Sequence, residues 1–170
     1  METELEIVKD HMRDEPVNVA AIFADLGVEY VEDRILSGES GWIECLDGKF
    51  KVMVNESESA QRKRFTAAHE LAHYLMHRDL LCREGKLNRH TDRLFGVSAE
   101  HNRDAPFQRR HEVQANKLAA QIIMPASRIT EVWNAMEDRP PVSRIPALAE
   151  KFDVSKAAME IRLKTLGLIE

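Results

Sequence analysis

The sequence lacks any apolar run approaching the ~18 residues that would cross a bilayer. Its first six residues, METELE, are acidic and lack the basic region and apolar core of a secretory signal. Both absences predict a cytoplasmic protein with no membrane partner. The chain has 2 cysteines, Cys45 and Cys82, which form no CxxC pair. Their spacing argues against a structural zinc finger, and in a reducing compartment we expect two free thiols.

A strongly basic surface is also missing. The net charge is −5, and residues 1–61 carry 15 acidic against 5 basic side chains, whereas residues 78–111 carry 8 basic against 5 acidic ones. The acidic first half disfavours non-specific DNA binding. It either complements a basic protein partner or forms a solvated surface. The length of 170 residues suits one compact domain, with or without a small appended module.

The most informative motif in the chain is His69-Glu70-Leu71-Ala72-His73. An α-helix turns once in 3.6 residues, so the two imidazoles project from one face and can converge on one ion. Glu70 is rotated about 100° from His69, which suits it to take a proton from water rather than to bind the metal. The motif therefore predicts metal-assisted hydrolysis.

Helix signals surround this motif. Ser57 and Ser59 are alternative N-caps, and no proline or glycine interrupts the run before His77-Arg78-Asp79. We expect a metal-binding helix over residues 58–78.

Two histidines do not complete a zinc site, which needs a third protein ligand and leaves the fourth position for water. Glu112 is the best candidate, on a predicted helix over residues 109–124 that Pro125 ends. Small side chains would let this helix approach the first one closely: Ala115, Ala119 and Ala120. The alternative is an ordinary amphipathic helix with a surface glutamate.

These two segments resemble the ImmA/IrrE family of metallopeptidases. The family carries an F-T-x-A-H-E-x-x-H helix and a later E-x-x-A-N-x-x-A-A-x-x-x-M-P helix, and both occur here in order. The resemblance implies that His69, His73 and Glu112 bind Zn²⁺ and that Glu70 is the general base. The chain departs mildly from the family at Ala72, often glycine, and at Leu118, often phenylalanine.

The resemblance also implies a function: a zinc endopeptidase whose protein substrate is a helix-turn-helix transcriptional repressor, cut to derepress stress or mobile-element genes. A second hypothesis is a metal-stabilised regulator or toxin–antitoxin component that binds DNA or a partner protein without proteolysis. The glutamate beside the first histidine favours the peptidase, because a structural metal site does not need it.

The remaining histidines carry weaker signals. His77 lies about 80° around the helix from His69, so we interpret it as structural, with substitution for Glu112 as metal ligand the alternative. His111 points away from its neighbour Glu112 on the same helix. His90 and His101 lie in a polar segment, where they either stabilise an oxyanion or are solvated.

The fold class is predicted to be α+β, mainly helical and zincin-like, with a small antiparallel sheet. Residues 5–26 indicate one or two helices interrupted by Pro16, and strands are expected within 27–35, 41–46 and 50–54. Asp47-Gly48 predicts a type I′ hairpin. By analogy with zinc peptidases, an edge strand could hold an extended substrate. Residues 80–110 are expected to form a loop with one short helix.

The C-terminal segment follows Pro140 and Pro141 and resembles a helix-turn-helix, with Ser143 and Ser155 as N-caps. Residues 143–170 carry 5 basic against 4 acidic side chains, far from the footprint of an independent DNA binder. We expect packing or partner docking rather than direct DNA binding. The predicted division is a peptidase domain over residues 1–138 and this segment over 139–170.

Overall fold

The computed structural model describes residues 3–36, 38–82, 88–92 and 107–170. Their elements, in chain order, are α1 (Glu4–His11), α2 (Val19–Asp25), β1 (Glu29–Asp33), β2 (Gly41–Leu46), β3 (Lys49–Asn55), α3 (Ala60–Leu81), β4 (Asn88–Asp92), α4 (Arg109–Ile123), α5 (Ala126–Ala135), α6 (Pro141–Lys151) and α7 (Lys156–Thr165). The predicted α+β class, mainly helical with a small sheet, is confirmed. None of the helices in these ranges is long and apolar enough to span a membrane.

The chain forms two compact units. One is Val19–Ala119, and the other combines Met1–Asn18 with Ala120–Glu170. A functional boundary near residue 138 stays a prediction.

The sheet of the first unit has the strand order β1-β3-β2-β4. Strands β2 and β3 form the predicted hairpin, and Asp47 and Gly48 have φ angles of 49° and 76°, as a type I′ turn requires. The sheet is mixed rather than wholly antiparallel, because β1 pairs in parallel with β3. Because β2 and β3 form a hairpin, β3 returns between β1 and β2 in the sheet.

Strand β4 replaces part of the predicted loop. Residues 88–92, expected to lie in a loop with one short helix, pair antiparallel with β2 from Cys45↔Asn88 to Gly41↔Asp92. The expectation was wrong for these residues because tertiary pairing, rather than intrinsic β propensity, makes this strand. A short helix within 83–87 or 93–106, and the position of His101, lie outside the described residues.

Helix α3 packs against β2 and β3. Of the two candidate caps, Ser59 is the N-cap, and its side chain accepts a hydrogen bond from the backbone N–H of Arg62. The helix extends beyond the predicted end at residue 78, because Leu81 is fully buried and no proline or glycine intervenes. Lys63 on α3 pairs with Glu32 on β1 at 2.5 Å and holds the pKa of that carboxyl below its ordinary value.

Gly41 sets the closest approach between this helix and the sheet. A Cβ atom at this position would lie 2.6 Å from the Cγ2 of Thr66 on α3 and 2.8 Å from the backbone oxygen of Met53 on β3. Contacts this short force a neighbouring atom to move, and backbone cannot move cheaply. The absence of a side chain at Gly41 therefore lets α3 lie directly on the sheet.

Gly41→Ala should lower the free energy of unfolding by about 1–3 kcal/mol, because the added methyl overlaps Thr66 and Met53. Urea denaturation followed by circular dichroism measures this change. Gly41→Ala combined with Thr66→Ser should recover part of the loss, since serine lacks the Cγ2 methyl. Wild-type stability in the single variant would contradict the close approach.

Cys45 and Cys82 form a disulfide bond, so the expectation of free thiols was wrong. Cys45 lies on β2 and Cys82 is the C-cap of α3, with Cα atoms 5.6 Å apart, inside the range that a disulfide spans. A separation of 37 positions gives no sign of this proximity in the sequence. The bond ties the end of α3 to the sheet.

Cys82→Ser should reduce the free energy of unfolding by about 2–4 kcal/mol under non-reducing conditions, because the unfolded chain regains the entropy that the cross-link removes. Denaturant titration measures the loss. In reducing buffer the wild type and the variant should have nearly equal stability. A wild type whose stability is insensitive to reductant would be evidence against the bond.

The second unit contains α1, α5, α6 and α7. Glu15 is 6% exposed as a side chain and forms ion pairs with Arg128 at 2.5 Å and Lys151 at 2.8 Å. The Nε of Arg162 donates to the backbone oxygen of Met124 at 2.9 Å, and burial lowers the pKa of this guanidinium. Residues 152–155 join α6 and α7, and Ser155 is the N-cap of α7 as predicted. The prediction of Ser143 as an N-cap was wrong, because α6 begins at Pro141 with Pro140 as its N-cap.

Candidate metal centre

Helix α3 places the two motif histidines side by side. His69 is 2% exposed and His73 is fully buried, as the four-residue spacing on one helix face allows. Their Nε2 atoms lie 3.0 Å apart. Glu70, between them in sequence, is also fully buried in α3.

Helix α4 brings Glu112 to the same place. Its Oε2 lies 3.3 Å from the Nε2 of His69, and its Oε1 lies 3.5 Å from the Nε2 of His73. The three side chains offer donor atoms that all lie within 4.8 Å of one another. The structure thus unites His69, His73 and Glu112 from two separate helices, and together they form a possible metal site.

Two hydrogen bonds to side-chain amide oxygens indicate which ring nitrogens of His69 and His77 carry a proton. The Nδ1 of His69 lies 3.0 Å from the Oδ1 of Asn116, an oxygen that can only accept, so this Nδ1 carries the proton. The Nε2 of His77 lies 3.1 Å from the Oε1 of Gln114, so that nitrogen also donates.

The hydrogen bond between His77 and Gln114 also determines which nitrogen of His73 carries its proton. Because His77 donates from Nε2, its Nδ1 bears a lone pair and accepts from the Nδ1 of His73, 3.1 Å away. In the neutral form of each ring, Nε2 is then the unprotonated nitrogen, and it faces the other ring and Glu112. These two nitrogens, 3.0 Å apart, and the Glu112 carboxylate together offer three donors to one cation.

The donor set fits zinc. Zinc takes His nitrogen and carboxylate oxygen at about 2.0–2.2 Å in tetrahedral geometry, which puts neighbouring donors about 3.3–3.5 Å apart. Here the two Nε2 atoms are 3.0 Å apart, and two different oxygens of Glu112 approach them, Oε2 at 3.3 Å from His69 and Oε1 at 3.5 Å from His73, so the donors are close enough together to share one ion. Three protein ligands would leave one coordination position for solvent or substrate, the pattern of catalytic rather than structural zinc.

Aromatic rings pack against His73 and His77. Phe107 stacks on its imidazole with ring centroids 4.0 Å apart and an interplanar angle of 3°. His111, the residue before Glu112, has its ring centroid 4.8 Å from that of His77. Burial lowers the pKa of His111 below its ordinary value.

Sequence reasoning missed Asn116 and Gln114, which lie behind the candidate ligands, whereas it named His77 as a structural residue without identifying its contact with His73. Asn116 stands four positions after Glu112 and therefore on the same face of α4, a spacing that could have indicated its contact with His69. His77 follows His73 by the same four residues that separate the motif pair. Its partner Gln114 carried no signal, because that contact joins two helices. His90 lies on β4, where it pairs with Ile43.

Comparison with known proteins identifies the family of the chain. A sequence model of the IrrE N-terminal-like domain, which describes a peptidase family, matches residues 17–164. The chain belongs to the ImmA/IrrE family. Among curated proteins, none matches the chain. The ImmA/IrrE match runs from before α2 into α7, and so includes all three candidate ligands.

Wild-type protein should bind about one Zn²⁺ per chain, and Glu112→Ala should weaken zinc binding by more than the ~10–100-fold that loss of an outer-shell partner costs. Competition with a chromophoric chelator measures the affinity. Glu150→Ala, which removes an exposed glutamate of α6, is the matched control and should bind zinc like the wild type. Equal affinity in Glu112→Ala would remove this residue from the ligand set.

Proposed function

We propose that this ImmA/IrrE protein is a zinc-dependent endopeptidase with His69, His73 and Glu112 as metal ligands and Glu70 as general base. The observation that carries the proposal is the convergence of the three donors beside a buried glutamate, in a chain that matches a peptidase family. A structural metal site has no use for an open position or for that glutamate.

A bound zinc ion would polarise the scissile carbonyl and make water more acidic. The chain's own groups would do the rest. The Glu70 carboxylate accepts the proton of the attacking water and returns a proton to the departing amine nitrogen. Its burial keeps bulk water away from this transfer. The hydrogen bonds of Asn116 and His77 hold the two imidazoles in position during the reaction.

For the substrate we propose a helix-turn-helix transcriptional repressor, whose cleavage would release stress or mobile-element genes. Membership of a peptidase family implies a protein substrate. The acidic first part of the chain, with 15 acidic against 5 basic side chains in residues 1–61, complements a basic DNA-binding protein. Strand β4, at the edge of the sheet formed by the described strands, could pair with an extended segment of the substrate.

Glu70→Gln should slow cleavage of a repressor encoded in a neighbouring reading frame by about 10²–10⁴-fold, because an amide cannot accept the proton of water. Mass spectrometry of the purified repressor, incubated with zinc-loaded protein, measures the product. The zinc affinity of the variant should remain that of the wild type, since Glu70 is not a proposed ligand.

Glu150→Gln provides the matched control, because it makes the same chemical change at an exposed position of α6. Its cleavage rate should equal the wild-type rate. Undiminished cleavage by Glu70→Gln would reject Glu70 as the base. Regulation that persists in Glu70→Gln, together with unfolding of Glu112→Ala, would instead support a metal-stabilised regulator that acts by binding.

A further inference from the structure

We propose that His77, Gln114 and Asn116 are positioning residues that set the metal affinity of the site by fixing the tautomers of its two imidazole ligands. The inference rests on the proposed metal site but not on proteolysis. It concerns three hydrogen bonds: His73–His77 and His77–Gln114, which are linked through the His77 ring, and the separate bond His69–Asn116.

The direction of these hydrogen bonds carries the first step. Both sets of hydrogen bonds end at an amide oxygen, which can only accept. Oε1 of Gln114 lies 3.1 Å from Nε2 of His77, and Oδ1 of Asn116 lies 3.0 Å from Nδ1 of His69. Every ring nitrogen between that oxygen and the candidate site therefore has a defined role. His77 donates through Nε2 and accepts through Nδ1, which obliges His73 to carry its proton on Nδ1.

The second step is the consequence for binding. A neutral imidazole binds a metal only through the nitrogen that lacks a proton. Without these partners each ring could exchange to the Nε2–H tautomer, which would point a hydrogen at the metal position. Outer-shell partners of this kind typically change metal affinity by about 10–100-fold.

The third step concerns orientation. Phe107 stacks on the face of His73, and the bond to His77 fixes the rotation of that ring within its plane. Gln114 and Asn116, which supply the two amide oxygens, both lie on α4, the helix that also carries Glu112. One helix therefore supplies a candidate ligand and determines how the two ligands of α3 are presented.

The decisive experiment compares nearly isosteric substitutions at His77. His77→Leu removes the acceptor, whereas His77→Asn keeps an oxygen at the position of Nδ1. Chelator competition should show zinc affinity lowered by about 10–100-fold in His77→Leu and largely restored in His77→Asn. A general packing defect would affect both variants. His11→Leu, a histidine change on α1, should leave zinc affinity unchanged.

Two further measurements keep the test valid if His77→Leu folds poorly. Gln114→Met removes the hydrogen-bond acceptor of His77 at an exposed position and should weaken zinc binding, whereas Gln114→Glu keeps the acceptor and should not. In metal-free wild type, long-range ¹H–¹⁵N NMR should show Nδ1–H tautomers for His69 and His73 and an Nε2–H tautomer for His77.

An Nε2–H tautomer at His73, or wild-type zinc affinity in both His77→Leu and Gln114→Met, would overturn the inference. The proposed function fails on a different result: zinc-loaded wild type that leaves the repressor intact. The zinc affinities of the variants still decide the positioning role in that case, because they do not depend on cleavage.

Discussion

The meeting of two imidazole Nε2 atoms 3.0 Å apart, with oxygens of the Glu112 carboxylate 3.3 and 3.5 Å from them, is the arrangement on which the rest of the site depends. His69 and His73 are both buried in this arrangement. The donor types, two imidazole nitrogens and a carboxylate, are compatible with zinc.

Holding such an arrangement requires a rigid helix, and several unrelated contacts keep α3 in place. Gly41 allows it to lie directly on the sheet, the Lys63–Glu32 pair joins its first turns to β1, and the Cys45–Cys82 bond joins its end to β2. Ligands on a regular element keep their mutual geometry better than ligands on loops. The motif spacing is useful only because these contacts fix the helix that carries it.

Helix α4 contributes one candidate metal ligand and, in addition, two side chains that contact imidazole rings of α3. It presents Glu112 to the metal position and Asn116 and Gln114 to the hydrogen bonds behind the imidazoles. A displacement of α4 would thus change the ligand set and the ring tautomers together. The three candidate ligands and the two amide side chains all lie within residues 19–119, in one compact unit.

The sequence by itself determined what depends on local geometry. Helical repeat places His69, Glu70 and His73, proline and serine mark the helix ends, and Asp47-Gly48 makes the hairpin, because each of these follows from nearby residues. Only the tertiary structure decided the parallel pairing of β1, the strand β4, the disulfide and the His77–Gln114 contact. These features join residues distant in the chain, and no local pattern encodes which distant partner will be adjacent once the core has packed.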